Sequence, residues 1–264
     1  LSATPPILEH PIEDSSVFTP EALVCAVRLQ RGLVHATVPE VCVLDFDGDL
    51  TDKLVESGRA APHPSWACFH TRMVSIDVAG GTRCGMVPRT IGGPFAVLVA
   101  EQLFVSGARI VIGLTSAGRV APSLALPHVV VADEAIRDEG TSYHYVAPGR
   151  SIRAPDRLAD VLHAALRVFP LPVAKGLVWT TDAPYRETSD QLRAYAEEHV
   201  LAVEMQAASL FALAERKGLQ IGVVAHVTNA VGAPDEAFDK GPADADVLLL
   251  QAVCRAALDL LSVG

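Results

Sequence analysis

The sequence predicts an α/β fold in a single domain. Three observations carry this. Glycine turns, helical patterns and short apolar strands alternate from about residue 20 to the end. Half of the 264 residues are hydrophobic while 20% are charged, which argues against a disordered chain. No Gly/Ser linker, internal repeat or break in composition interrupts the alternation, and the length is enough for one substantial core. Residues 1–19 read as a Pro-, Ser- and acid-rich arm on the surface, and residues 20–264 as the domain.

Taken in order, Thr19-Pro20-Glu21 reads as a cap and first turn, predicting a helix to about Arg31. Val41-Cys42-Val43-Leu44 is a short apolar strand feeding the acidic loop Asp45-Phe46-Asp47-Gly48-Asp49. Met73 to Val78 and Arg83 to Val87 flank Ala79-Gly80-Gly81-Thr82 as a hairpin. After Gly92-Gly93-Pro94 a helix is expected from Phe95 to Ser106, stopped at Gly107, then a strand from Arg109 to Leu114. Further strands are expected at His128 to Ala132, Ala174 to Thr180 and Ile221 to Thr228. Further helices are expected near 156–168, 188–199, 203–217 and 244–262.

Composition removes some function classes. With 31 acidic and 21 basic side chains the formal net charge is −10, which disfavours nonspecific attraction to nucleic acid or anionic membrane. Five cysteines, odd in number and without C-x-x-C spacing, read as structural thiols of a reduced, cytoplasmic protein. No apolar run approaches the roughly 20 residues of a membrane span, and Leu1 to Pro6 lack a signal peptide's charged and hydrophobic regions. No histidine or cysteine set has metal-ligand spacing, so neither metal nor cofactor is expected.

Several segments could carry chemistry. Ile91-Gly92-Gly93-Pro94 before a helix could cradle an anion on free amides, although a tight turn is the simpler role. Gly113-Leu114-Thr115-Ser116-Ala117-Gly118 sets hydroxyls beside flexible backbone, as a phosphate or sugar site would, and misses the G-x-S-x-G nucleophile pattern by one residue. Asp47 or Asp49 in the acidic loop could orient a water as general base, or simply solvate a turn. Val203-Glu204-Met205-Gln206 sets an acid, a thioether and an amide at what reads as the first turn of an apolar helix. Asp182 and Arg186 could pair at a pocket rim.

Together, Ile91-Gly92-Gly93-Pro94 and its helix, Ile136-Arg137-Asp138-Glu139-Gly140-Thr141-Ser142, Trp179-Thr180-Thr181-Asp182-Ala183-Pro184-Tyr185-Arg186 and Val203-Glu204-Met205-Gln206 are similar, in the same order, to the nucleoside phosphorylase and nucleosidase superfamily. The likeness is to its uridine-phosphorylase-like branch and runs from about Val17 to the last helix. It implies a three-layer α/β/α domain with a central mixed, partly barrel-like sheet, assembled as a homodimer or homohexamer in which a neighbour completes each site. The implied reaction is cleavage of a nucleoside N-glycosidic bond by phosphate or water. Such chemistry must hold a cation-like sugar, stabilise the leaving base and position a nucleophile.

The resemblance assigns Glu204, Met205 and Gln206 to the sugar, with Gln206 standing where the family has a second Glu, so one acceptor remains and the charge is lost. It assigns His226 to the leaving base as a proton donor, with Asn229 as a further base contact and Tyr185 or Phe95 as an aromatic wall. An imidazole there slightly favours a purine-like base. Gly48-Asp49 matches the start of the family's phosphate loop and Ser116 its hydroxyl contact, so Ser116, Gly48 and Asp49 would face the nucleophile. Leu50 replaces the loop's Pro, Asp52 stands near an expected Arg, and Gly113 aligns with a second one, removing the bidentate donors that phosphate favours. Phosphate is therefore a possible co-substrate, with water the other acceptor. The alternative is a fold repurposed to bind or transform another small metabolite.

Overall fold

A helix begins where Thr19 predicts it, because the Thr19 hydroxyl accepts from the Ala22 amide at 3.3 Å and Pro20 needs no partner. This helix, α1 (Pro20–Arg31), ends at Gly32, whose φ of 61° is open to glycine at little cost. The computed structural model describes residues 4–78, 81–155, 157–231, 239 and 241–263. The expected hairpin turn at Ala79-Gly80 and the expected helix start at Asp156 lie outside them.

The remaining elements are β1 (Val41–Asp45), α2 (Asp49–Glu56), β2 (Ala60–Pro62), β3 (Val74–Val78), β4 (Thr82–Pro88), α3 (Gly93–Val105), β5 (Ile110–Arg119), β6 (His128–Asp138), β7 (Ser151–Arg153), α4 (Leu158–Leu166), β8 (Val173–Thr181), α5 (Ser189–Glu197), β9 (Ala202–Glu204), α6 (Ala207–Lys217), β10 (Gln220–Ala230) and α7 (Ala245–Val263). Ahead of α1, Pro6–Leu8 form a single 3-10 turn, and Glu13 pairs with Arg216 on α6 at 2.8 Å.

The ten strands among the described residues join one mixed sheet. β10 pairs with β5 in parallel and with β6 antiparallel, while β6–β8, β8–β9 and β9–β5 complete a closed ring of five strands. Beyond the ring, β1, β4, β3 and β2 extend from β5 as an open sheet. Helices cover both faces. One core packs α3 and α6 through Leu103, Leu210 and Phe211 against Phe46, Val223 and Ala225. The other packs α2, α4 and α7 through Leu54, Leu162 and Leu250 against Val43, Ile112 and Val224. The three-layer α/β/α architecture with a partly barrel-like sheet is therefore the fold observed.

Three expectations need correction. β5 and β6 run on to Arg119 and Asp138, beyond the ends at Leu114 and Ala132 expected from their apolar runs. In β6 the added residues Asp133 to Asp138 are mostly charged, yet β7 and β8 pair with them and Lys175 sits 3.4 Å from Asp133. Residues 203 and 204 are strand, with the helix starting only at Ala207, because Val203 and Glu204 are claimed by pairing with Gly118 and Thr180. The elements α2, β2 and β7 had no counterpart in the expected pattern.

Candidate active site

The site lies where the sheet forks. One edge of β5 is held by β10 along its whole length, but the other edge changes partner. Residues 110–114 pair with β1 in parallel, and Gly118 and Arg119 pair with β9 antiparallel. β1 and β9 therefore run toward each other, and Thr115, Ser116 and Ala117 between them are left without a strand on that side. A cleft of about 280 Å³ opens there. Its lining includes Asp47 beyond β1, Thr115 to Gly118 of β5, Val203 to Gln206 at the end of β9, Ile91 before α3, Pro184 and Glu187 after β8, Asn229 of β10 and Val231 just after it.

The loop after β1 is organised by a buried carboxylate. Asp45 accepts from the Thr51 amide at 2.8 Å, the Thr51 hydroxyl at 2.7 Å and the Gly48 amide at 3.2 Å. Burial pushes its pKa up, opposed by those hydrogen bonds and reinforced by Asp47. The loop so held carries Asp47 to the cleft, where its Oδ2 accepts from the Ser116 amide at 3.0 Å. Asp47 thus takes the donor that the fork leaves unpaired.

On the opposite prong, Glu204 is 4% exposed and its carboxylate caps α6. Oε2 accepts from the amides of Gln206 at 2.6 Å and Ala207 at 2.9 Å, while Oε1 accepts from the Thr180 hydroxyl. Burial raises its pKa to about 7, outweighing the three hydrogen bonds that favour the charged form. Glu204 reaches the cleft wall, but its polar atoms are spent on the helix start. Gln206 is 1% exposed. Its Oε1 faces the Met205 amide at 3.2 Å and the Thr115 hydroxyl at 3.4 Å, and since a backbone N–H can only donate, this fixes the amide orientation. The Gln206 NH₂ is then the end left for a ligand.

Of the residues singled out from the sequence, Glu204, Met205, Gln206, Ser116 and Asn229 meet in this cleft. Asp47, Ile91 and Thr115 join them, whereas Asp49, Gly48, Tyr185, Phe95 and His226 do not line it. Asp49 is the exposed first residue of α2, so Asp47 is the loop acid at the cleft. Gly48 is buried, at φ 89°, under the side chain of Arg89. Tyr185 is 100% exposed on a 3-10 turn, and Pro184 lines the cleft in its place. Phe95 packs edge-on to His70 at 6.4 Å, and the apolar lining of the cleft comes from residues such as Ile91, Val203 and Val231.

His226 follows the alternation of β10, on which Ile221, Val223, Ala225 and Val227 enter the α3–α6 core and Val224 the opposite one. It shares the side of Val224. The register then shifts between Val227 and Asn229, and Asn229 lines the cleft. Asp182 accepts from the Gly140 amide at 2.8 Å instead of pairing with Arg186. Ile91 and Thr115 lie in segments singled out from the sequence, whereas Glu187 was not anticipated, since no motif marks it.

The positions where the resemblance expected arginines are filled differently. A side-chain carbon at Gly113 would stand 2.7 Å from the Phe46 ring, which is 1% exposed, so Phe46 occupies the space a guanidinium stem would need. Asp52 holds both guanidinium nitrogens of Arg89 in a forked pair above Gly48. No lysine, arginine or histidine lines the cleft among the described residues. Nor do three His, Cys, Asp or Glu side chains converge among them to hold a metal ion.

Comparison with known proteins agrees with this architecture. The family model described as the phosphorylase superfamily matches residues 40–261. The chain belongs to the phosphorylase superfamily. Within reach of this superfamily member, a uridine phosphorylase of Treponema pallidum (strain Nichols) is 32% identical over 210 residues, covering 73% of this chain and 78% of its own. A guanosine phosphorylase of Halorubrum lacusprofundi is 30% identical over 152 residues, 56% of this chain and 61% of its own. The chain spans about three fifths of the length of several curated relatives it matches. A crystal structure of uridine phosphorylase from Vibrio fischeri ES114 with 6-hydroxy-1-naphthoic acid shares the fold at a TM-score of 0.64, with 23% identity over 84% of this chain and 89% of that one. In the superfamily member described here, no helix among the described residues is long and apolar enough to cross a membrane.

Proposed function

We propose that this superfamily member is an enzyme that cleaves the N-glycosidic bond of a nucleoside with water, and not phosphate, as the acceptor. One observation carries the choice of acceptor: the cleft presents carboxylates, hydroxyls and amides, and no cation lines it among the described residues. A phosphate dianion entering such a site would lose its hydration without gaining charged donors. Water needs only an acceptor that orients it, and Asp47 at the Ser116 amide supplies one.

In this mechanism the sugar lies over the turn at Met205 and Gln206. The Gln206 NH₂ donates to a sugar hydroxyl, a neutral contact in place of a charged acceptor. Asp47 holds the attacking water on the β1 side and takes its proton as the C1′–N bond breaks. Asn229 contacts the departing base, so the slight preference for a purine drawn from His226 no longer rests on that residue. The neighbour-completed homodimer or homohexamer belongs to the proposal as well, and light scattering on the purified protein tests it.

Incubation with a panel of nucleosides, with and without inorganic phosphate, tests the reaction. Free sugar formed equally in both is the expected result. Sugar 1-phosphate formed only with phosphate would overturn the choice of water. Absence of any cleavage would favour the repurposed fold, a reading supported by the commitment of Glu204 to capping α6.

A further inference from the structure

Away from the cleft, and sharing none of its lining, a cavity of about 540 Å³ lies between α1, α3 and the turn at Thr141–His144. That volume falls within the range of small-molecule sites. Pro94, Val97, Leu98, Glu101 and Gln102 of α3 line it, a spacing that puts them on one face of the helix. Ile7, Phe18 and Leu23 add to the apolar lining. Gln102 is 1% exposed, and its Nε2 donates to the Leu98 carbonyl at 3.0 Å, which turns Oε1 away from that carbonyl. Gln102 Oε1 has no partner among the described residues. Beside it, Glu101 Oε1 accepts from the Tyr145 hydroxyl at 2.6 Å, while Oε2 has only Lys217, at 3.8 Å. Burial, and then Glu101 itself, push the Tyr145 pKa up, so this hydroxyl stays a donor. No lysine or arginine lines the cavity among the described residues; Asp182 adds a second carboxylate, and His144 is the one imidazole.

We propose that this cavity binds an aliphatic amine, its ammonium held by Glu101 and Gln102 and its hydrocarbon chain laid along Val97, Leu98 and Leu23. A buried acceptor without a donor is unfavourable, and a ligand that brings N–H groups removes the cost. An ammonium offers three donors and no acceptor, which suits a site whose charged groups are carboxylates. The chain matches the apolar stripe, where a small hydrated cation would find nothing to bury. The proposal stands apart from the glycosidic-bond reading, since no group of the cleft takes part in it.

Calorimetric titration with hexylamine, hexanol and hexanoate tests this without depending on turnover. Wild type should bind hexylamine about 10-fold or more tighter than hexanol, the effect of hydrogen bonds to a charged group, and hexanoate most weakly. Glu101→Gln keeps the Tyr145 hydrogen bond and removes the charge, and Gln102→Met removes the acceptor at nearly the same shape. Each should weaken hexylamine about 10-fold and leave hexanol within about threefold. Gln102→Met should also withstand urea at least as well as wild type, because an unpaired buried acceptor is gone; should it fold poorly, Glu101→Gln carries the test. Hexylamine held equally by wild type and Glu101→Gln would place the amine elsewhere, such as on the cleft carboxylates, and overturns the proposal. Hexanol as tight as hexylamine, or hexanoate tighter than both, overturns it too. So does a protein that binds none of the three, the result expected if a second copy covers this face, which light scattering would show as a dimer.

Discussion

Glu204→Gln isolates the energetic consequence of a buried carboxylate at a helix start. Folding raises the Glu204 pKa from 4.5 to about 7, so between these values the native protein retains a proton that the unfolded chain has released. The contribution is fully present below the unfolded pKa and is lost as pH rises through the folded one. A shift of this size corresponds to about 3 kcal/mol, lost mostly between pH 4.5 and 8. Gln is close to isosteric. Its oxygen can serve the Gln206 and Ala207 amides, and its NH₂ can donate to the Thr180 hydroxyl oxygen that already accepts from Ala208 at 3.0 Å. The variant should therefore match wild type near pH 5 and exceed it by about 3 kcal/mol at pH 8, or by about 5 °C in Tm for a chain of this length. Urea unfolding at a series of pH values measures the difference. Parallel stability curves for the two proteins from pH 5 to 8, or a wild type that gains on Glu204→Gln as pH rises, would refute the argument.

Three further outcomes follow from the site. Gln206→Glu keeps the Met205 and Thr115 hydrogen bonds through one oxygen and turns the other, charged, toward the sugar; cleavage should rise about 10-fold or more in a nucleoside assay, and no gain would count against the hydrolase. Gly113→Arg forces its side chain into Phe46 and should lower stability by about 1–3 kcal/mol in urea unfolding without creating phosphate dependence; a variant as stable as wild type would show that Phe46 does not fill the position. Asp52→Ala releases Arg89 above Gly48, so added phosphate should accelerate cleavage in the variant alone, and a rate indifferent to phosphate would show that Asp52 is not what withholds that guanidinium.

Much of the fold was legible along the chain. Thr19-Pro20 and Gly32 bound α1 as their backbone preferences require, and the apolar runs of β1 and β10 mark strands largely buried from both faces. Strands rich in charge, such as the second half of β6, were not legible, because pairing with β7 and β8 outweighs local pattern. The site followed the same division. Met205, Gln206, Ser116 and Asn229 were identifiable because they lie in motifs, whereas Glu187 carries no local signature. His226 stays outside the cleft lining while Asn229, three residues on and past a register shift in β10, enters it, which no local pattern marks.

By itself the sequence determined the order and kind of most elements, the α/β class and the superfamily, since helix period, strand runs and turn residues are local properties. It also determined that the family's arginines are absent. Only the tertiary structure decided that β10 closes the ring onto β5 and β6, that β1 and β9 meet head to head and open a cleft, and that Phe46 fills the space above Gly113. Each of these joins residues far apart in the chain. Their free energy comes from packing and pairing that no short window of sequence contains.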